Sequence, residues 1–269
     1  MDFLPQNYSK LDIYNLMSLN VKYLSDLRKK AVLEMYRTLF LNILGEIYFE
    51  SAYAYACLFP GEKTFLGVSP FFHRLIKISE QTKNRDVQIK AKVISSYAFY
   101  SLGNHSTDLK KRTFFNRSFR EISSACKNSS DSHEVELMRW RHVALSSVYL
   151  GDESSFNMAA NKIQDVADKN KEDTQLVYLI TALGTVARGQ AFFKDSRALN
   201  TLSQVKKTNK RMIWRDPLRT CETLWNEIQI IDHLNINDKN YRENLFKEGI
   251  NIAEEQGYFR YVNYFTKAL

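Results

Sequence analysis

The sequence predicts an all-α protein, a stack of helical hairpins, and three observations lead there. First, one phrase comes back three times. Lys92, Ser96, Phe99, Leu102, Gly103 and Asn104 are echoed by Trp140, Ala144, Ser147, Leu150, Gly151 and Asp152, then by Tyr178, Ala182, Thr185, Arg188, Gly189 and Gln190. The three glycines stand 48 and 38 residues apart, and self-similarity at a period of about 40 residues marks stacked helical pairs. Second, 269 residues hold only four prolines and nine glycines, too few turn formers for frequent β-hairpins. Third, helix starts and stops recur along the chain.

Taken in order, helices are predicted over 9–19, 23–44, 46–59, 70–82, 86–102, 107–127, 133–150, 154–170, 173–188, 195–208, 217–233, 238–256 and 258–268. Leu39 to Phe59 is the most apolar stretch, and Asn42, Glu46, Glu50 and Ser51 interrupt it. Those polar groups argue against a membrane span and for two buried helices meeting near Gly45. Pro60-Gly61 stops the second of them. Ser69-Pro70 reads as an N-cap with proline at the first helical position, and Asp86 as the next cap. Residues 128–132 form a polar loop. Asp216-Pro217 repeats the cap-plus-proline signal, Asn235 to Asn240 is a turn cluster, and Gly257 ends the penultimate helix.

Composition narrows the setting. Fifteen Tyr and seventeen Phe give an aromatic-rich core, and the net charge of +8 permits an anionic partner. Cys57, Cys126 and Cys221 are scattered and odd in number, and the first residues lack a basic stretch followed by an apolar one. A reducing, cytoplasmic setting is therefore expected, and the Asn-x-Ser triplets at Asn7, Asn104, Asn116 and Asn128 are read as accidents of composition.

No pattern of catalytic residues stands out. His73, His105, His133, His142 and His233 show neither His-Glu-x-x-His nor a Cys/His ligand spacing. Glu46 and Glu50 share a helix face, where two carboxylates could hold a metal or shuttle a proton; a solvated stripe, or pairing with arginines, is the plainer reading. There is no Gly-x-Ser-x-Gly and no glycine-rich phosphate loop. A non-enzyme without cofactor or metal is expected, with an enzyme whose site is assembled from distant helices as the lesser alternative. Three basic clusters raise nucleic acid as an alternative partner: Arg28-Lys29-Lys30; Lys110-Lys111-Arg112 with Arg117 and Arg120; and Lys206-Lys207 with Lys210, Arg211 and Arg215 around Trp214. An aromatic among cations suits single-strand stacking, yet solvated helix ends explain the same residues. Arg139-Trp140-Arg141-His142 reads as a core tryptophan beside surface arginines.

The repeated phrase resembles a degenerate tetratricopeptide repeat, and the unit from Trp140 to Val166 carries the resemblance best. An aromatic, a small residue four later and Leu-Gly-Asp match the first helix and turn; Ala159 or Ala160 would be the small residue of the second helix. The helix-ending proline is missing, so HEAT-type pairs stay open. The resemblance implies a right-handed α-solenoid in one domain over 1–269: atypical helices to residue 84, three units over 85–210, and a helical cap over 211–269. It also implies a protein- or peptide-binding scaffold or regulatory module using a concave groove. Ser96, Ala144 and Ala182 would stand where paired helices cross, with Trp140 and Tyr178 as wedges and the Lys92 stem packing with its ammonium in water.

By the same resemblance, the groove is lined by Lys90, Val93, Tyr97 and Tyr100, by Met138, Arg141, Leu145 and Val148, and by Leu176, Leu179, Leu183 and Val186. A face so apolar calls for a cover: a partner helix, a second copy of the chain in a homodimer, or the aromatic tail with Tyr258, Phe259, Tyr261, Val262, Tyr264 and Phe265.

Overall fold

The structure, a computed structural model, describes residues 34–59, 61–125, 130, 132–169, 176–212 and 216–268. These residues form eleven α-helices and no strand. In chain order they are α1 (Glu34–Leu58), α2 (Gly61–Thr82), α3 (Arg85–Asn104), α4 (Asp108–Ala125), α5 (His133–Leu150), α6 (Glu153–Lys169), α7 (Leu176–Phe192), α8 (Ala198–Arg211), α9 (Pro217–Leu234), α10 (Lys239–Glu255) and α11 (Phe259–Ala268). No helix of the described residues is long and apolar enough to cross a membrane. The helix expected at 9–19 and the start of the one at 23–44 lie outside the described residues.

Two of the expected breaks are absent. Helix α1 runs straight through Gly45, where a Cβ would stand 3.3 Å from Val87 Cγ2. This glycine brings α3 close to α1; it does not end a helix. Helix α2 begins at Gly61 and passes through Pro70. A proline in a helix interior leaves the carbonyl four residues earlier unpaired. Here both Pro70 and Leu66 are exposed, so water can take that carbonyl. The cap of α3 is Asn84, whose side chain accepts from the Asp86 and Val87 amides. Asp86 stands instead in the first turn, favourably placed against the helix dipole, and accepts from the Ser130 hydroxyl at 2.5 Å. Asp216 caps α9 as expected, Ser132 caps α5, and Gly257 follows α10 at φ +69°.

The helices sort into two rows. Each odd-numbered helix packs on its chain neighbours and on the next odd-numbered helix, giving the inner row α1, α3, α5, α7, α9 and α11. The even-numbered helices pack principally on the helices before and after them and form the outer row. Burial follows the sequence. Helices α4, α6 and α8 bury one stripe each, such as Phe115, Ser118, Ile122 and Ala125 on α4, or Phe156, Ala159 and Ile163 on α6. That is the spacing of an amphipathic helix. Helices α3, α5 and α7 are buried on every face, including Arg139, Arg141, His142 and Arg188.

Small residues let the rows meet. The Ser118 hydroxyl lies 2.9 Å from both the Ser96 and the Ser146 hydroxyls and donates to the Ser96 carbonyl at 2.8 Å. Three buried hydroxyls are thus paired where α3, α4 and α5 cross, and Ala144 and Ala182 are fully buried. Lys92 is half-buried and reaches Glu121 on α4 at 2.9 Å. The three repeat glycines do different work. Gly151 caps α5 in the left-handed region at φ +71°. Gly103 and Gly189 sit inside helices, where a Cβ would come within 2.8 Å of the Phe115 ring and 2.1 Å of the Phe156 ring.

The inner row closes on itself, because α11 packs on α1 as well as on α9 and α10. Phe259 stacks on Phe59 at 6.2 Å, the Arg260 guanidinium donates to the Ala56 carbonyl at 3.2 Å, and the Asn263 amide meets His105 Nε2 at 3.0 Å.

Candidate functional site

Inside the closed row, polar side chains converge from six helices. Tyr53 comes from α1, Tyr97 and Tyr100 from α3, Arg141 and Tyr149 from α5, Thr181, Thr185 and Arg188 from α7, Arg219, Glu222 and Asn226 from α9, and Arg260 and Tyr264 from α11. Glu222, 6% exposed, is the hub. Its Oε1 accepts from Arg141 Nη2 at 2.6 Å; its Oε2 accepts from Arg219 Nη1 at 2.7 Å and Thr181 Oγ1 at 3.1 Å. Burial opposes ionisation of the Glu222 carboxyl, but Arg141 and Arg219 outweigh it and hold the group below its ordinary value. Arg141 also donates to Thr185 at 3.3 Å and Tyr53 at 3.4 Å, and Arg219 to Thr181 at 2.9 Å.

A second knot joins α3, α5, α7 and α11. Tyr100 donates to the Tyr149 hydroxyl at 3.4 Å, and the Arg188 guanidinium stands 5.9 Å from the Tyr149 ring centre. Burial disfavours both phenolates. The Arg188 cation, with hydrogen bonds involving Tyr149 and Asn104, still draws the Tyr100 phenol below its ordinary value; burial and Tyr100 leave Tyr149 well above it. Arg260 lies 4.6 Å from the centre of the Tyr97 ring and donates to the Tyr264 hydroxyl at 2.9 Å.

The expected lining residues fall in three settings. Tyr97, Tyr100, Arg141 and Leu145 border the central cavity beside α11. Val93, Met138, Val148, Leu176, Leu179, Leu183 and Val186 belong to the apolar core around it, all buried but the half-buried Leu179. Lys90 stands near the Phe49 ring at 5.3 Å and pairs with Glu46. Glu50 accepts from the Tyr178 hydroxyl at 3.5 Å, and burial raises its carboxyl above the ordinary value.

The arginines flanking Trp140 are not at the surface. Arg139 is 3% and Arg141 8% exposed, because α5 is enclosed by α4, α6, α3 and α7. Arg139 pairs with Glu136, which also accepts from the Trp140 indole at 2.9 Å. The basic clusters lie elsewhere. Lys110, Arg112, Arg117 and Arg120 are exposed on outer helix α4, with Arg117 4.8 Å from the Phe99 ring centre. Lys206 on α8 pairs with Glu227 at 2.5 Å. Arg28-Lys29-Lys30, Trp214 and Arg215 lie outside the described residues. Among those residues no three His, Cys, Asp or Glu side chains gather as a metal cluster.

Sequence reasoning missed Arg188, Arg219, Glu222 and Arg260. One signal was present: Arg188 precedes its glycine where the other two units carry Leu102 and Leu150. No family model, no curated protein and no solved structure matches the chain.

Proposed function

We propose that this chain is a non-enzymatic binding module, a right-handed stack of helical hairpins whose concave face receives an aromatic helix. The observation that carries the reading is the seating of α11. Residues expected to line a groove, Tyr97, Tyr100, Arg141 and Leu145, border a cavity whose other wall includes Arg260, Tyr261 and Tyr264 of the chain's own last helix. The two-row order of the helices, with small residues at the crossings, supports the stacked-hairpin reading. Helix α11 is short, and Asn263, Thr266 and Lys267 leave part of it half-buried or exposed. A short, partly exposed helix opens at lower free energy than one buried on every face. The closed row is then the resting state, and a partner's aromatic helix takes the place of α11. A soft thermodynamic competition of this type shifts populations without requiring a new fold.

The test uses the full-length chain and a labelled synthetic peptide of residues 258–269. Tyr264→Ala removes the stack on Trp225, at 5.1 Å, and the hydrogen bonds to Arg260 and Asn104. This variant should bind the peptide at least tenfold more tightly than the parent does, and adding Leu145→Glu should abolish the gain. Equal binding to parent and variant, or none to either, would refute an exchangeable cover.

A further inference from the structure

A cavity of about 20 Å³ lies among α3, α5, α7, α9 and α11. That volume holds one guest of water size or slightly larger. Its lining includes the guanidiniums of Arg141, Arg188 and Arg260 and a single carboxylate, Glu222. Both oxygens of that carboxylate are already engaged by Arg141, Arg219 and Thr181. Arg188 is 6% exposed, and its Nη2 has no hydrogen-bond partner. The groups acting on its charge are the Tyr100 phenol, which also accepts a hydrogen bond from the guanidinium, the Tyr149 phenol and the like-charged Arg141.

A buried cation normally escapes its desolvation cost by pairing or by losing its proton. Arginine does not lose its proton in proteins. Arg188 therefore calls for an anion. A guest little larger than water is matched best by a monatomic one. The remaining lining suits the same guest, since the Asn226 amide offers an uncharged donor at the cavity wall.

We propose that the chain binds one halide ion, chloride in solution, in the cavity between Arg188, Arg260 and Arg141, where it ties together the inner helices that surround it. The inference stands independently of any partner for the concave face. It has a consequence for α11, because a ligand held partly by that helix stabilises the closed row by mass action.

Thermal unfolding of the full chain in potassium chloride and in potassium gluconate, at constant ionic strength, tests it. Chloride should raise Tm saturably, by about 3–5 °C once it is roughly tenfold above its dissociation constant. Bromide should act alike, and sulfate and phosphate should not. Arg188→Met keeps much of the side-chain volume and should erase the halide effect. If that variant does not fold, the parent alone decides: its presence should broaden the chloride NMR line, and bromide should reverse the broadening. The same Tm in chloride and gluconate, an equal response to sulfate or phosphate, a halide effect retained in Arg188→Met, or an unbroadened chloride line would overturn the proposal.

Discussion

His142 is 1% exposed, meets Tyr97 edge-on at 5.3 Å, and has no hydrogen-bond partner on either ring nitrogen. Burial first, and then the adjacent Arg141, push its pKa well below the ordinary histidine value. The folded protein therefore holds this ring neutral, while the unfolded chain takes up a proton below about pH 6.5. The stability is complete above that pH and is lost as pH falls from there toward the folded-state value. Each pH unit in that window should cost about 1.4 kcal/mol for this one group. Urea unfolding at a series of pH values should show the slope, and His142→Phe should remove this part of it. An identical slope in the two proteins would mean that the ring is protonated, or solvated, in the folded state.

At the scale of elements, Pro70 makes the plainest prediction. It occupies the interior of α2 on an exposed face, so its cost is a lost backbone hydrogen bond with no packing gain. Pro70→Ala should stabilise the protein by about 2 kcal/mol, the helix-interior penalty less the entropy returned to the unfolded chain. A neutral or destabilising result in urea would contradict a backbone cost at Pro70. The same helix marks where the sequence was legible. Caps and periodicity act within a few residues, so most helices could be placed from Asp216-Pro217, Gly257 or the polar loop after α4. Gly45 and Pro70 misled because packing on a neighbouring helix overrides local propensity. The Arg141–Glu222 knot was invisible for another reason. Its members stand 81 residues apart in the chain, and arginine and glutamate scattered along helices read as surface residues until the helices are placed. Arg188 alone left a signal, unread, as a charge in a position that its sister units fill with leucine.

For the whole molecule, α11 closes the inner row by packing on α1. The buried apolar residues fall into three clusters. One runs through α1 to α8, a second joins α9, α10 and α11, and Ala187, Ala191, Ala198, Leu202 and Ile230 bridge them across α7, α8 and α9. Closure adds the contacts of α11 with α1 and α3, through Phe259, Arg260, Asn263 and Tyr264. The most direct test is a double-mutant cycle between Tyr97 and Arg260, which are 163 positions apart in sequence yet only 4.6 Å from ring centre to guanidinium carbon. Tyr97→Ala, Arg260→Ala and the double variant would be compared by urea unfolding of the full chain. A closed row predicts a coupling of about 1–2 kcal/mol, as for a desolvated cation–π pair. Effects that add to within about 0.3 kcal/mol would place α11 away from α3 in solution and contradict the closed row.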